Sequence, residues 1–398
     1  MDILVSNCLL GAPCRYDGGA KPVDGVIGLC SRPGVTAHPV CPECAGGLPI
    51  PRPPAEIRDG RVYLESGQDV TDEFEAGARA TLETARRVRP AFCVLKAKSP
   101  SCGRVRVYDG TFSGNLVAGD GIACDLLVKE GFFVTDEKTV ERCHPTMEHP
   151  VAICLGSGLG SVARLVKPVR RIPYADIDGF PAGARPVAGH SFEATVGTLD
   201  GVPVVVYPGR VHLYQGYSVR EVTSLVRHAH HLGCRDIVFA AAAGAIDGQA
   251  PLGLGLVSDQ LNLTGQNPLV GDEALRGVDN AFVDMSDAYT PYLRQVAKAV
   301  AGDQGVELSE GVLAGISGPS FESPAEARAM ALCGASYTAM SVVNEVVLAH
   351  ALGMEVLGVT LSANKAGAPG VSHETVLSYA EGHGADFEAL LRGVLTRL

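Results

Sequence analysis

The chain has 398 residues and a formal net charge of −11. That length exceeds one ordinary core, so two domains are expected. The acidic balance argues against tracking a phosphate backbone, which excludes nucleic acid as the main partner. No apolar run is long enough to cross a bilayer, and MDILVSNCLLG at the start lacks the basic segment and cleavage site of a secretory signal. A cytoplasmic protein without a membrane partner is expected.

Twelve cysteines are the most informative count, and nine of them precede residue 145. A disulfide scaffold would be short and secreted. In a reducing cytosol this cluster points instead to metal or thiolate chemistry in the first part of the chain. Cys30, Cys93, Cys124 and those after Cys143 read as small buried hydrophobes.

DILVSNCLLG reads as a buried strand that ends in a loop. HPVCPECAGGLPIPRPPAE sets Cys41 and Cys44 three apart ahead of a stiff, proline-rich turn. Residues 72–90 form a helix, with Thr71 as N-cap and Pro90 past the end. AFCVLKAKSPSCG is a second strand that enters a Ser/Pro/Gly loop. Strand, helix, strand predicts a parallel α/β unit whose functional groups gather at the C-terminal strand ends. Cys8 and Cys102 fall there, and Cys41 also follows an apolar stretch. Thiolates so gathered can hold a soft metal. The spacing does not match the two close pairs of a structural zinc site, so spacing alone leaves both a metal site and no site open.

Four segments in order, ILVSNCLLGAPCRYDGG, PVCPECAGGLPIPRPPAEI, LKAKSPSCG and YDGTFSGNLVAGDGIACDLL, resemble the thiouracil desulfidase family over residues 1–140. The resemblance implies a 4Fe–4S cluster held by Cys8, Cys41 and Cys102, with the fourth iron open to take sulfur from a thiocarbonyl base. Cys14 ranks second to Cys41 as a ligand. Cys44 departs from the family pattern, as a bystander or as a competing fourth ligand. Glu43 and Ser101 are candidates for proton transfer, or else a loop carboxylate and a turn serine. Arg15 and Asp17 orient substrate or pair with each other.

Residues 141–150 are polar, end in proline and are taken as a linker, with His144 and His149 solvated. A second α/β alternation begins at VAICLGSGLGS and occupies residues 151–398. VPVVVYPGRVHLYQGY, DIVFAAAAGAI and MEVLGVTLSANKAG are strand-to-loop passages, with helices at SVREVTSLVRHAHHLG and SPAEARAMALCG. GSGLGS fails as a dinucleotide fingerprint because Ser161 holds the sixth position. Its glycines and Ser157 suit a phosphate near a helix N-terminus. Arg210 and His212, two apart at a strand end, share one face, and Ser341 lies further on. Taken singly, these three are better explained by a surface ion pair, a packed imidazole and a helix cap.

GSGLG, the GH pair at 189–190, GRVHLYQGY, AAAGAI, SDQLNLTGQNPL, MSDAY, GPSFESPAEAR, AMSVVNEV and SANKAG together resemble the trimeric purine nucleoside phosphorylase family. This implies a mixed sheet flanked by helices and phosphate as co-substrate. Ser157, Arg210, His212, Ser341 and the Ala242 backbone would hold phosphate, with His190 close by. Glu322 and Asn364 would hold the purine, beside Phe321. Met340 would pack on the ribose, Tyr214 would bond a sugar hydroxyl and His373 would reach the 5′-hydroxyl. Phe282 would enter the neighbouring subunit's site, making a homotrimer functional. His212, Glu322 and Asn364 would be catalytic. Ala241, Ala245, Leu313 and Ala363 depart from the family pattern around the base.

The two resemblances meet on nucleobases. The expectation is a bifunctional enzyme that cleaves a purine or 6-thiopurine nucleoside with phosphate and removes sulfur from a thiolated base. The alternative is a plain 6-oxopurine nucleoside phosphorylase whose cysteine domain is structural or redox-active. A third possibility is a nucleoside- or metal-sensing protein without turnover.

Overall fold

The computed structural model describes residues 1–188, 190–272 and 282–398. It divides into one unit of Met1–His144 with Arg397–Leu398 and another of Pro145–Thr396. Gly189, from the GH motif, lies outside the described residues.

The first unit holds β1 (Asp2–Ser6), β2 (Thr36–Val40), β3 (Ala55–Arg58), β4 (Arg61–Leu64), β5 (Phe92–Leu95), β6 (Arg106–Tyr108), β7 (Leu116–Ala118) and β8 (Val134–Asp136). Its helices are α1 (Asp24–Cys30), α2 (Pro42–Ala45), α3 (Thr71–Val88), α4 (Ile122–Lys129) and α5 (Glu137–Arg142). The central sheet runs β2-β1-β5-β8, with every pairing parallel. Ile3–Val5 of β1 and all of β5 are continuous apolar runs because a parallel sheet is covered on both faces. Leu4, Leu82, Cys93, Cys124 and Leu127 pack one core there, so Cys93 and Cys124 do behave as buried hydrophobes, whereas Cys30 is only half-buried and Cys333 is exposed. The β3–β4 and β6–β7 hairpins are separate two-stranded sheets.

α3 starts one residue earlier than the sequence suggests, and its N-cap is Val70. Thr71 is engaged elsewhere: its hydroxyl accepts from Val62 N at 3.0 Å and donates to Asp69 Oδ1 at 2.6 Å. The helix closes at Arg89, in the left-handed region at φ +48°. α2 lies directly on α3. A Cβ on Gly46 would stand 1.9 Å from Glu73 O, and one on Gly77 would stand 1.9 Å from Pro42 O. That approach seats the Cys41–Cys44 turn against a rigid helix. His144 and His149 are not solvated: both are half-buried, with Nδ1 bonded to Leu398 O at 2.9 Å and to Gly233 O at 3.0 Å respectively.

The second unit holds β9 (Val151–Cys154), β10 (Lys167–Pro173), β11 (Glu193–Leu199), β12 (Val202–Tyr207), β13 (Asp236–Ala245), β14 (Gly253–Asn262), β15 (Ser309–Gly315), β16 (Ala335–Ala339) and β17 (Glu355–Lys365). Around them lie α6 (Val219–Val222), α7 (Ser224–His231), α8 (Pro291–Gln304), α9 (Pro324–Leu332), α10 (Val343–Ala351) and α11 (His373–Leu395). The sheet is mixed, in the order β10-β11-β12-β9-β13-β16-β15-β14-β17. An added β13–β17 pairing closes its last five strands into a ring. Tyr207, Phe239, Leu313, Tyr337 and Val346 lie in its main core. β9, β12, β13 and β17 are mutually parallel, so their C-terminal ends emerge on one side. β16 meets β13 through the C-terminal end of each, Gly244 opposite Thr338.

Candidate functional site

In the first unit, Cys8, Cys41 and Cys102 follow the C-terminal ends of the adjacent strands β1, β2 and β5. Together with Cys14 they line a cavity of about 340 Å3. Ser6 at the end of β1 donates its hydroxyl to Cys102 Sγ at 3.4 Å. The Cys41 and Cys44 thiols both donate to Cys14 O at 3.7 Å. Cys44 therefore sits beside Cys41 but is not part of the cavity wall. Burial, joined by the charge of Cys41, pushes the Cys8 thiol up, and burial with the neighbouring Cys41 lifts Cys14 to about 12. Burial is also the main cause for Cys102 and for Cys44, which reaches about 11.

Among the described residues no three His, Cys, Asp or Glu side chains are grouped to hold a single metal ion. A cubane cluster makes the opposite demand, since its thiolates grip separate irons around a body several atoms wide. Soft thiols on three neighbouring strand ends, facing one cavity, fit that group. Cations surround them. Arg52, buried, clasps Glu43: its Nε lies 2.9 Å from Oε2, and its Nη2 donates to the same oxygen and, at 3.1 Å, to Cys14 O. Lys96 Nζ donates to Glu137 Oε1 at 2.6 Å.

Ser101 is not brought to the cavity. It is 1% exposed, and its hydroxyl is buried without a partner. Its carbonyl is fixed by Ala123 N and Cys124 N at the start of α4. Ser99, by contrast, does line the wall, its hydroxyl 3.4 Å from Glu43 Oε1. Arg15 and Asp17 pair with each other at 2.9 Å.

In the second unit the convergent strand ends surround a cavity of about 110 Å3. Ser157 enters from the turn after β9, His212 and Tyr214 from the segment after β12, and Ala242 from β13. Met340 and Ser341 enter from the β16–α10 junction. Phe321 and Glu322 come from the loop before α9, Asn364 from β17 and His373 from the first turn of α11.

His190 and Arg210 stand behind this wall. Arg210 N donates to His190 Nδ1 at 2.8 Å, which leaves the ring proton on Nε2, 3.0 Å from Ser157 Oγ. Ser157 therefore accepts from His190, and its own hydroxyl proton is free to point into the cavity. His212 Nδ1 lies 3.3 Å from Gln215 Oε1, so its proton is held there and Nε2 keeps a lone pair. Burial, then the charges of His212 and Arg210, lowers His190 to about 3. Burial and Arg210 lower His212 to about 4.

Arg210 is 1% exposed. Nη1 donates to Glu345 Oε1 at 2.9 Å, and Nη2 to Cys154 O and Ala240 O at 2.9 and 2.7 Å. Nε is a buried N–H without a hydrogen-bond partner in the protein. Glu345 Oε2 also accepts from Val342 N. Val342, next to Ser341, has φ +79°, a conformation a β-branched residue adopts only under constraint from its surroundings. Phe282 does not line this cavity. It is 89% exposed and borders an apolar hollow with Leu269, Val270, Met285 and Val347.

Residues 150–396, more than half of the chain, match the family model of the phosphorylase superfamily. The chain belongs to the phosphorylase superfamily. Residues 3–139 match the model for 2-thiouracil desulfurase. Purine nucleoside phosphorylase 1 of Geobacillus stearothermophilus is 39% identical over 254 residues, covering 62% of this chain and 91% of that protein. The purine nucleoside phosphorylase of Mycobacterium tuberculosis is 41% identical over 257 residues, 63% of this chain and 90% of that one. Isoform 2 of the Schistosoma mansoni enzyme, solved with cytosine and ribose-1-phosphate, superposes with a TM-score of 0.59 at 32% identity, covering 63% of this chain and 91% of that one.

Several neighbours of this phosphorylase-type site carry no signal in the sequence. Glu345 reads as an ordinary first-turn acid of α10, and Thr338 as one inward residue of a strand. Gln215 follows a strand end with nothing to mark it as the partner of His212. In the first unit, Arg52 is hidden among prolines, although a lone arginine in a stiff loop with an acid nine residues earlier is a usable hint.

Proposed function

We propose that residues 150–396 catalyse phosphorolysis of purine nucleosides. Phosphate attacks the anomeric carbon, the C–N bond to the base breaks, and its electron pair leaves on the purine. The observation that carries this is the meeting of two kinds of group on one small cavity. Ser157, Ser341 and His212 form an anion half, and Glu322 with Asn364 forms a base half. The Ser157 hydroxyl donates to phosphate, and the Arg210 guanidinium behind the wall supplies a fixed positive charge. The lone pair on His212 Nε2 accepts the remaining phosphate O–H. As the bond breaks, charge grows on the purine, where Asn364 donates and Glu322 accepts a ring N–H. An amide at position 364 can both donate and accept, which suits a 6-oxo or 6-thio purine. Phe282, exposed on the single chain, would cover a neighbour's site in a homotrimer.

We propose further that residues 3–139 remove sulfur from a thiolated base, with Cys8, Cys41 and Cys102 holding a 4Fe–4S cluster. When bound, the cluster supplies an iron without a protein ligand as Lewis acid for the sulfur. Glu43, bonded by Arg52 and close to Ser99, would take a proton from the water that replaces sulfur at the ring carbon. The joint substrate would be a 6-thiopurine nucleoside.

The test is oxygen-free purification followed by iron and sulfide assay, then incubation with thioinosine or thioguanosine and phosphate. Free base, pentose 1-phosphate and released sulfide are expected together. Base without sulfide from cluster-loaded protein would leave a plain phosphorylase. Neither product, with the cluster intact, would end both proposals.

A further inference from the structure

Glu322 belongs to the loop between β15 and α9, where neither helix nor strand fixes its side chain. Thr338 Oγ1 donates to Glu322 Oε1 at 2.8 Å. Thr338 is itself rigidly placed. It is 1% exposed, lies on β16 between β13 and β15, and is β-branched, which restricts χ1. Across the β16–β13 pairing stands Gly244, and across β13–β17 the same Gly244 faces Asn364. A Cβ on Gly244 would meet Thr338 Cγ2 at 3.2 Å and Asn364 Nδ2 at 3.3 Å. Three neighbouring strands thus present a row of Thr338, an empty slot and Asn364, and Glu322 hangs from its first member.

We infer that Thr338 is the positioning residue of the base half: it fixes Glu322 so that Oε2 faces a purine ring N–H at the same depth as the Asn364 amide. A hydroxyl has one proton to donate. Here that proton is committed to Oε1, which orients the carboxylate and leaves its second oxygen for the ligand. This deepens the proposed phosphorolysis and rests on it for the role of Glu322.

Thr338→Val keeps the shape against Gly244 and removes the proton. A hydrogen bond to a charged group is worth roughly ten- to hundredfold, so kcat/KM for inosine should fall about tenfold or more while KM for phosphate is unchanged. Thr338→Ser should restore activity to within about threefold. In a Glu322→Gln background, where kcat/KM is already low, Thr338→Val should add less than about twofold. An undiminished kcat/KM in Thr338→Val, a parallel rise in phosphate KM, or fully additive losses would overturn the inference. Calorimetric binding of hypoxanthine to the same proteins keeps the two proposals apart. If the parent turns over no nucleoside, phosphorolysis falls. Thr338 is then judged by affinity alone, with weaker binding in Thr338→Val supporting the inference and equal binding refuting it.

Discussion

Glu345 grips Arg210 from inside the fold, Oε1 to Nη1 at 2.9 Å, with the two side chains 5% and 1% exposed. The other carboxylate oxygen takes Val342 N, at the strained turn that presents Ser341. One buried acid therefore ties the arginine behind the anion half to the backbone beside its serine. Removing the charge leaves a buried guanidinium uncompensated, which costs about 3–5 kcal/mol. Glu345→Gln should lower the melting temperature and raise KM for phosphate, with KM for nucleoside changed far less. The double variant Arg210→Met, Glu345→Leu should recover much of the stability but none of the phosphate affinity. Thermal melts with and without phosphate, alongside initial rates, decide it.

The two histidines set a pH signature. In the fold, His190 and His212 titrate at about 3 and about 4, against an ordinary value of 6.5. Below pH 6.5 the unfolded chain takes up protons that the folded imidazoles refuse, so unfolding gains and stability falls. The loss should begin near pH 6.5 and continue down towards pH 4 and then 3. His190→Asn with His212→Asn should flatten that slope in denaturant titrations at stepped pH. Phosphate, as an anion beside both rings, should raise their values and partly rescue stability at pH 5. An unchanged slope in the double variant would show that the rings do not carry it.

The thiols of the first unit give an independent prediction. Cys8→Ser, Cys41→Ser and Cys102→Ser should each lower bound iron and the visible absorption of oxygen-free protein, because each removes a wall thiol from the cavity. Cys44→Ser should retain both, since Cys44 is bonded behind Cys41 and is absent from the wall. Phosphorolysis should survive all four. Equal iron loss in the Cys44 variant would make it a ligand and would close the site to a thiocarbonyl.

The parallel sheet of the first unit was legible because Ile3–Val5 of β1 and all of β5 are unbroken apolar runs, and the cysteines that follow strands stand out by residue type. The short hairpins at Ala55–Leu64 and Arg106–Ala118 left no such pattern. In the second unit, residues that carry chemistry announced themselves when they followed strands, as Ser157 and His212 do. What stayed hidden is the layer that acts through them. Glu345 lies 135 positions from Arg210, and Thr338 lies 16 from Glu322. Such partners are chosen by the closed ring of strands and not by local spacing. Ser101 shows the opposite case: of the two readings its place beside Cys102 left open, the structure shows the turn serine, since Ser99 faces the cavity and the Ser101 carbonyl is held at the start of α4.

Gly244 offers the last test. Its Cα stands between Thr338 and Asn364, and a methyl there would press on Thr338 Cγ2 and Asn364 Nδ2 at 3.2 and 3.3 Å. Those contacts are tight but not prohibitive, and Gly244 is not among the glycines at positive φ. Gly244→Ala should therefore fold, with a stability change within about 1–3 kcal/mol as for modest overpacking. Displacement of the Asn364 amide should raise KM for nucleoside roughly tenfold and leave KM for phosphate near its parent value, since Ser157 and His212 enter from other strands. Steady-state kinetics with each substrate varied in turn makes the distinction. Equal rises in both constants would mean that the methyl disturbs the whole sheet end, and an unchanged nucleoside KM would mean that the slot has room to spare.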